Sequence, residues 1–452
     1  MTSPDSAQRA PKISAWLVGC VVALFFAWGF STVLVDTLLP KLRGLFQLDY
    51  AEATLTEFAF FTAYFVVSLP AAWLLEKIGY MRAIVTGLLV TMAGCLLFSP
   101  AATYGVYGYF LSALFVMAAG ITILQVAANP LIALLGSQQT SSSRLVLAQA
   151  LNSFGTFVGP FVGAGLILKN GVSVPANILS APPGVLAAYR IAQAHAAQTP
   201  FLGIAVLLAL LALIFFLLRR APGVPATVAD SATQSAGALF KGPRLLFGTA
   251  CIFLYVGSEV TIGSLMVNYL LQAKTATATA ALGKPLIPLF VAMHVIAPNA
   301  PPALALLAGG LVSFYWGGAM VGRFLGSAVQ RVVRPGTTLA ACAIGAFLLA
   351  GLSASTAGTV SALALIAVGL CNSIQFPTIF ALAIEGLGVN TPKGSALLCM
   401  GIVGGALVPV LAGWTADQTN LSTCLLVPMT CYLGIALFGL ASNDRLTIPS
   451  YS

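Results

Sequence analysis

"QVAANPLIALLG" (residues 125–136) and "SIQFPTIFALAIEGLG" (373–388) are one phrase written twice: an amide, then a proline, then an apolar run closed by Leu-Gly. Pro130 and Pro377 lie 247 positions apart. A second pair agrees. "NSFGTFVGPFVGAGL" (152–166) matches "MGIVGGALVPVLAGW" (400–414), and Pro160 lies 249 positions before Pro409. Two independent matches at nearly one offset identify an internal repeat in which the second half of the chain echoes the first. A weaker echo links "AAWLLEKIGYMR" (71–82) with "GAMVGRFLGSAVQR" (318–331).

Composition says where such a repeat can live. The 452 residues are 59% hydrophobic and 7% charged, with a mean hydropathy of +0.99. A soluble domain carries about 25% charged residues. The chain therefore reads as an all-α polytopic membrane protein. A spanning helix needs roughly 20 apolar residues. Twelve candidate spans follow, at 14–40, 54–75, 83–101, 105–135, 145–168, 201–218, 245–272, 304–329, 337–354, 359–386, 395–415 and 421–441. The repeat pairs span 4 with span 10 and span 5 with span 11, which makes two six-helix halves.

The most polar long segment, "RRAPGVPATVADSATQSAGALFKGPR" (219–244), reads as the linker between them. The expected domains are an N-terminal bundle over 1–218 and a C-terminal bundle over 245–452. Two Pro- and Ala-rich stretches, 169–200 and 273–303, fall between spans 5 and 6 and between spans 7 and 8. The first apolar run is long and lacks a clear cleavage site, so it reads as a span and not as a leader.

Lys and Arg set the orientation. With the N-terminus placed in the cytoplasm, the inner segments hold fourteen basic residues and the outer ones six. The positive-inside rule then puts both termini in the cytoplasm.

Several function classes are excluded. The net charge of +9 is scattered singly, with no stripe to neutralise phosphates, so no nucleic acid is expected. The eight cysteines fall inside apolar runs without C-x-x-C spacing, and His195 and His294 lie in expected loops, so no zinc site is read. There is no nucleotide loop and no nucleophile–base pair, so the chain is not expected to be an enzyme or to carry a cofactor.

The polar residues inside the spans carry the function. An ionisable group at membrane depth costs roughly 2.5–3.5 kcal/mol on insertion scales and normally faces a wet cavity, a partner or a substrate. Asp36, Glu57 and Glu259 are such groups. Trp28, Thr32 and Asp36 recur every four residues and share one helical stripe. An indole, a hydroxyl and a carboxylate on one stripe suit a sugar or a cation. The alternative for Asp36 is a solvated anchor beside Lys41 and Arg43. Glu57 starts span 2 on a stripe with Phe61, Tyr64 and Ser68, either near the cavity or at the interface. Glu259 lies deeper, flanked by Gly257 and Gly263, as a ligand or as a partner for another helix.

Amides recur on matched spans: Gln125 and Asn129 on span 4, Asn372 and Gln375 on span 10. Asn152 opens the apolar part of span 5, and Asn268 lies on span 7. Amides and carboxylates pair with vicinal hydroxyls, and aromatic rings cover the apolar face of a pyranose. The rival reading makes these amides glue between helices. Gly155, Gly159 and Gly163 on span 5, and Gly401 and Gly405 on span 11, repeat every four residues and read as close-packing positions.

"VDTLLP" (35–40), "FAFFTAYFVVSLPA" (58–71), "GITILQVAANPLIALLG" (120–136), "SSRLVLAQALNSFGT" (142–156), "FLYVGSEVTIGSLMVNYL" (253–270), "QFPTIFALAIEGLG" (375–388) and "GSALLCMGIVGGALVPVLAGWTAD" (394–417) together resemble the fucose permease branch of the major facilitator superfamily, and most closely its bacterial glucose/galactose transporters. The resemblance implies the major facilitator fold and import of a monosaccharide by alternating access, driven by H⁺ or Na⁺, in the bacterial inner membrane, as a monomer. On family analogy Na⁺ is preferred.

It implies Asp36 as the coupling acid and a possible Na⁺ ligand, with Thr32 and Glu57 beside it. It points to the helix 4 position of Gln125, and the polar residues above complete the expected sugar site: Asn129, Asn152, Glu259, Asn268, Asn372 and Gln375, with Trp28 and Phe61 stacking on the ring. The 71–82 and 318–331 segments resemble the superfamily's cytoplasmic gating motif, which assigns Glu76, Lys77, Arg82 and Arg323 to gating. Departures are Val35 where Asn is common, Glu57 where Gln is common, Glu385 where Lys is common, and Glu76 and Ala72 in the motif. Gln125 in place of a glutamate counts against L-fucose. Two alternatives stay open: proton-driven efflux, and a nontransporting sugar sensor, for which the short termini give little room.

Overall fold

The computed structural model describes residues 19–33, 50–104, 106–135, 137–167, 182–220, 242–293, 296 and 301–442. Nearly all are helical. In a bilayer the backbone must satisfy its own hydrogen bonds, and a helix does so within one segment.

The first half contains α1 (Gly19–Val33), α2 (Tyr50–Ile78), α3 (Tyr80–Tyr104), α4 (Tyr107–Leu134), α5 (Ser141–Ile167) and α6 (Pro183–Leu217). The second contains α7 (Pro243–Leu270), α8 (Leu304–Val329), α9 (Pro335–Ser355), α10 (Gly358–Asn372 and Gln375–Ile384), α11 (Thr391–Gly401 and Gly404–Gln418) and α12 (Leu426–Ala441). Among the described residues ten helices are long and apolar enough to cross a membrane. With α1 and α5 they complete the twelve expected from the sequence.

Two stretches differ from the sequence-based expectation. α6 begins at Pro183, eighteen residues before the apolar run at 201. Proline suits the first turn of a helix, and the Ala-rich stretch behind it propagates one. Part of 273–303 also folds, as short helices at Ala276–Gly283 and Ile287–Ala292. Positions 221–241 of the expected linker lie outside the described residues.

The repeat is visible in the packing. α3 packs on α4 and α6, as α9 packs on α10 and α12; α2 packs on α4, as α8 packs on α10. Small residues explain two further matched contacts. A methyl group added to Gly155 of α5 would press on the α1 backbone, 2.8 Å from the Phe30 nitrogen. One added to Gly404 of α11 would press on the α7 backbone, 2.9 Å from the Phe253 Cα. Gly155 and Gly404 are again 249 positions apart.

One face of the molecule carries Lys77, Arg82, Arg144, Arg331, Arg334 and Lys393, at helix ends or on the connection between α8 and α9. Near this basic face the halves meet along two seams. Helix α5 runs against α8: Ser142 Oγ donates to Gln330 Oε1 at 2.6 Å, and Ser143 Oγ donates to Ser327 O at 2.6 Å. Helix α11 runs against α2 and α4. Its Lys393 Nζ is 3.5 Å from Glu76 Oε1, and its Ser395 Oγ donates to Val126 O at 2.9 Å.

At the opposite end of α7, Lys274 closes the C-terminus of α9. Its Nζ donates to Tyr269 Oη at 2.7 Å and to the carbonyls of Ser353 and Thr356, each at 3.3 Å. A cation at this end complements the helix dipole and satisfies carbonyls the helix leaves free.

Candidate functional site

α7 contributes the deepest acid. Glu259 and Tyr255 are four residues apart and so share a face. Tyr255 Oη donates to Glu259 Oε1 at 2.6 Å. The same oxygen lies 3.9 Å from Nη2 of Arg323 on α8, and both side chains are largely buried, at 14% and 11% exposure. Tyr315 of α8 donates to Glu259 O at 3.2 Å and accepts from Asn372 Nδ2 at 2.8 Å. Gln375 Nε2 closes the group, donating to Asn372 Oδ1 at 3.3 Å. Helices α7, α8 and α10 thus converge on one polar cluster in the second half.

Arg323 takes this cluster across to the first half. Its Nε donates to Ser373 O of α10 at 2.9 Å, and its Nη1 donates to Gln149 O of α5 at 3.3 Å and to Ser153 Oγ. The sequence reading groups Arg323 with the basic residues of the inner segments and with the gating motif. The structure places it inside α8, two turns before that helix ends, where one guanidinium serves α5, α10 and, through Glu259, α7. The five donors of a guanidinium make such a junction geometrically accessible.

In the first half, Gln125 Nε2 of α4 donates to Tyr64 Oη of α2 at 2.9 Å. Asn129 is fully buried and accepts from Gln149 Nε2 at 3.2 Å. Asn152 Nδ2 donates to Phe25 O at 3.0 Å, tying α5 to α1 beside Gly29. Both asparagines therefore join helices, as the rival reading anticipates. Trp28 is buried against Phe25, with ring centroids 5.2 Å apart. Thr32 Oγ1 donates to Trp28 O, one turn back.

Phe61 lies at the α2–α11 seam, its ring within 2.6 Å of where a methyl on Gly405 would stand. Asn268 is exposed, well along α7 from the cluster. Glu76 pairs with Lys393 as described, Lys77 stacks its ammonium 3.7 Å over Trp73, and Arg82 is exposed. Asp36, with its possible Na⁺ site, and the Glu57 side chain lie outside the described residues. Glu385 pairs with Arg244 at 2.5 Å near the basic face.

The arrangement leaves acceptors unused. Gln125 Oε1 on α4 and Gln375 Oε1 on α10 are buried and find no partner among the described residues. Buried polar atoms are nearly always paired, so each such atom calls for an explanation. The repeat places one on each of its matched helices.

Sequence reasoning did not single out Tyr255, Tyr315, Gln149 or Ser153 as members of the site. The signal for Tyr255 was present, one turn before Glu259. Gln149 and Ser153 lie on either side of Asn152, and nothing in their spacing shows that Arg323 lies opposite.

Comparison with known proteins agrees with this architecture. The family model described as Major Facilitator Superfamily matches residues 17–393. The glucose/galactose transporter of Brucella abortus biovar 1 (strain 9-941) is 43% identical over 420 residues, covering 93% of this chain and 92% of that protein. The L-fucose-proton symporter of Escherichia coli (strain K12) is 32% identical over 453 residues, covering 98% and 96%. The crystal structure of a Major Facilitator Superfamily transporter, FucP, in the outward conformation superposes with a TM-score of 0.80 at 30% identity, over 94% of this chain and 98% of that one. Twelve helices in two related halves, seams at the basic face and a match running through both halves lead to one conclusion: the chain belongs to the Major Facilitator Superfamily, as a multi-pass membrane transporter and not an enzyme.

Proposed function

We propose that the chain imports a monosaccharide, glucose or galactose before others, by symport with H⁺ or Na⁺ and alternating access. The observation that carries this is the two unpartnered amide oxygens, Gln125 Oε1 and Gln375 Oε1, one on each of the matched helices α4 and α10. A sugar presents several hydroxyl donors at once and suits acceptors approached from two sides. The relatives' names support the substrate class, and those of the fucose relatives support a proton as the ion.

In this reading Gln125, Gln375 and Asn372 hold the sugar, Glu259 accepts from a hydroxyl, and Trp28 and Phe61 border the ring. Asn129 and Asn152 hold the helices that carry the site, and Asn268 is kept as an outlying contact. Asp36, helped by Thr32 and Glu57, takes the coupling cation. Cation and sugar together remove bare charge before the chamber dries, which lowers the cost of closure. Residues 1–218 and 245–452 form the two rocking bodies, joined by 219–244, in the bacterial inner membrane with the basic face and both termini cytoplasmic. The seams at that face, with Glu76, Lys77, Arg82 and Arg323 nearby, suit a carrier shut towards the cytoplasm.

The test is uptake of labelled hexoses into proteoliposomes. Glucose or galactose is expected to accumulate under an imposed gradient. Replacing NaCl with choline chloride at fixed pH abolishes uptake if Na⁺ is the ion and spares it if H⁺ is. Uptake equal to that of empty vesicles for every hexose tried would overturn the proposal.

A further inference from the structure

Pro130 has no N–H, so the carbonyl four residues earlier, Val126 O, receives no bond from its own helix. Ser395 Oγ fills the vacancy from α11, in the other half, at 2.9 Å. Pro377 has the same effect on Ser373 O. Arg323 Nε fills that one at 2.9 Å, and the same guanidinium then reaches α5 of the first half through Nη1. These are the two prolines that the repeat aligns. In both halves a proline-freed carbonyl therefore seats a donor that ties the halves together near the basic face. The three side chains that cross between halves here, Ser395, Arg323 and Ser153, have no sugar-facing role in the reading above.

We infer that Ser395 and Arg323 are positioning residues of the inner gate, seated on the carbonyls that Pro130 and Pro377 leave open. The inference rests on the carrier reading, because only a molecule whose halves part at this face needs a gate there. When they part, the Ser395–Val126 bond and the Arg323 bonds to Gln149 and Ser153 break. The Ser373 bond lies within one half and survives. Glu259, 3.9 Å away in the closed arrangement, becomes the remaining anionic partner of Arg323. Val126 O turns to entering water. Pro130 thus provides an acceptor that is satisfied when the gate is shut and hydratable when it opens, and Pro377 one that keeps Arg323 seated in both states.

The test needs no sugar. In a chain whose eight native cysteines are replaced by Ala or Ser, Val146→Cys reports the gate. Val146 is fully buried in the α5–α8 seam, 3.9 Å from the position of a methyl on Gly326. The readout is its labelling rate with a membrane-impermeant maleimide in inside-out vesicles. S395A and S153A are each expected to raise the rate at least three-fold, and together to multiply. P130A restores an N–H to α4, which then satisfies Val126 O itself and strands Ser395. P130A and S395A remove one and the same bond, so their double variant is expected to label no faster than the faster single variant.

Unchanged labelling in S395A and S153A, both monodisperse, overturns the inference, and so does multiplication of the P130A and S395A effects. Should P130A fail to fold, S395A and S153A decide alone. If labelling responds but no hexose is taken up, the proposed substrate fails and the gate stands. If uptake holds and labelling does not respond, the gate alone fails.

Discussion

The Gln125 amide nitrogen on α4 donates to the Tyr64 hydroxyl on α2 at 2.9 Å, which turns the other end of the amide, Oε1, into a fixed acceptor. Tyr64 is a positioning residue in this arrangement. Without its hydroxyl the amide can rotate, and the acceptor is no longer held. Tyr64→Phe is expected to raise KM for the transported sugar about ten-fold, or roughly 1.4 kcal/mol, with kcat little changed. Initial-rate uptake at varied sugar concentration measures both. An unchanged KM would remove Tyr64 from the site.

Glu259 and Arg323 form a buried acid–base pair. Removing one partner of such a pair strands the other charge and typically costs about 3–5 kcal/mol. Glu259→Gln is expected to lower thermal stability by that order and to abolish uptake. The double variant Glu259→Gln/Arg323→Gln is expected to recover part of the stability and none of the transport. Thermal unfolding in detergent, read beside uptake, checks the pair. Additive losses in the double variant would show that the two charges act independently.

Lys274 caps α9 far from the polar cluster. Hydrogen bonds from a charged donor contribute about 1.5–3 kcal/mol. Lys274→Met is expected to lose stability of that order while KM stays the same. A raised KM would mean that this cap reaches the site through the helices.

The α1–α5 contact depends on a missing side chain. Gly155→Ala forces a methyl into the α1 backbone and is expected to cost about 1–3 kcal/mol. Gly203 of α6 has nothing within 4 Å of its would-be methyl. Gly203→Ala is expected to be neutral or to stabilise by about 0.4–1 kcal/mol. Thermal unfolding of the two variants side by side distinguishes packing from intrinsic helix preference.

The helices and their pairing were legible because hydropathy and repeat spacing act along the chain. Span 8, read at 304–329, coincides with α8, and Gly155 of span 5 and Gly401 of span 11 meet the neighbouring backbones as expected. The start of α6 was not legible, because its first eighteen residues are Ala-rich and not apolar enough to announce a span. The direction of each amide was hidden too. Asn152 has a site-like spacing, yet its donor goes to Phe25 O, since the Gly29 gap opposite brings a bare carbonyl within reach. Arg323 shows the same limit. A motif assigned it to a surface connection, but the carbonyl that draws it inward is created by Pro377, more than fifty residues away.

The glycine contacts of α1 with α5 have a mechanical consequence. Gly155 lets the two backbones touch, and Asn152 bolts them together one turn earlier. The two helices cannot slide independently, so any torque on Trp28 is delivered to Ser153, the residue that Arg323 grips. A push on one end of this lever reaches the clasp at the other with no relay of rearranging side chains between them.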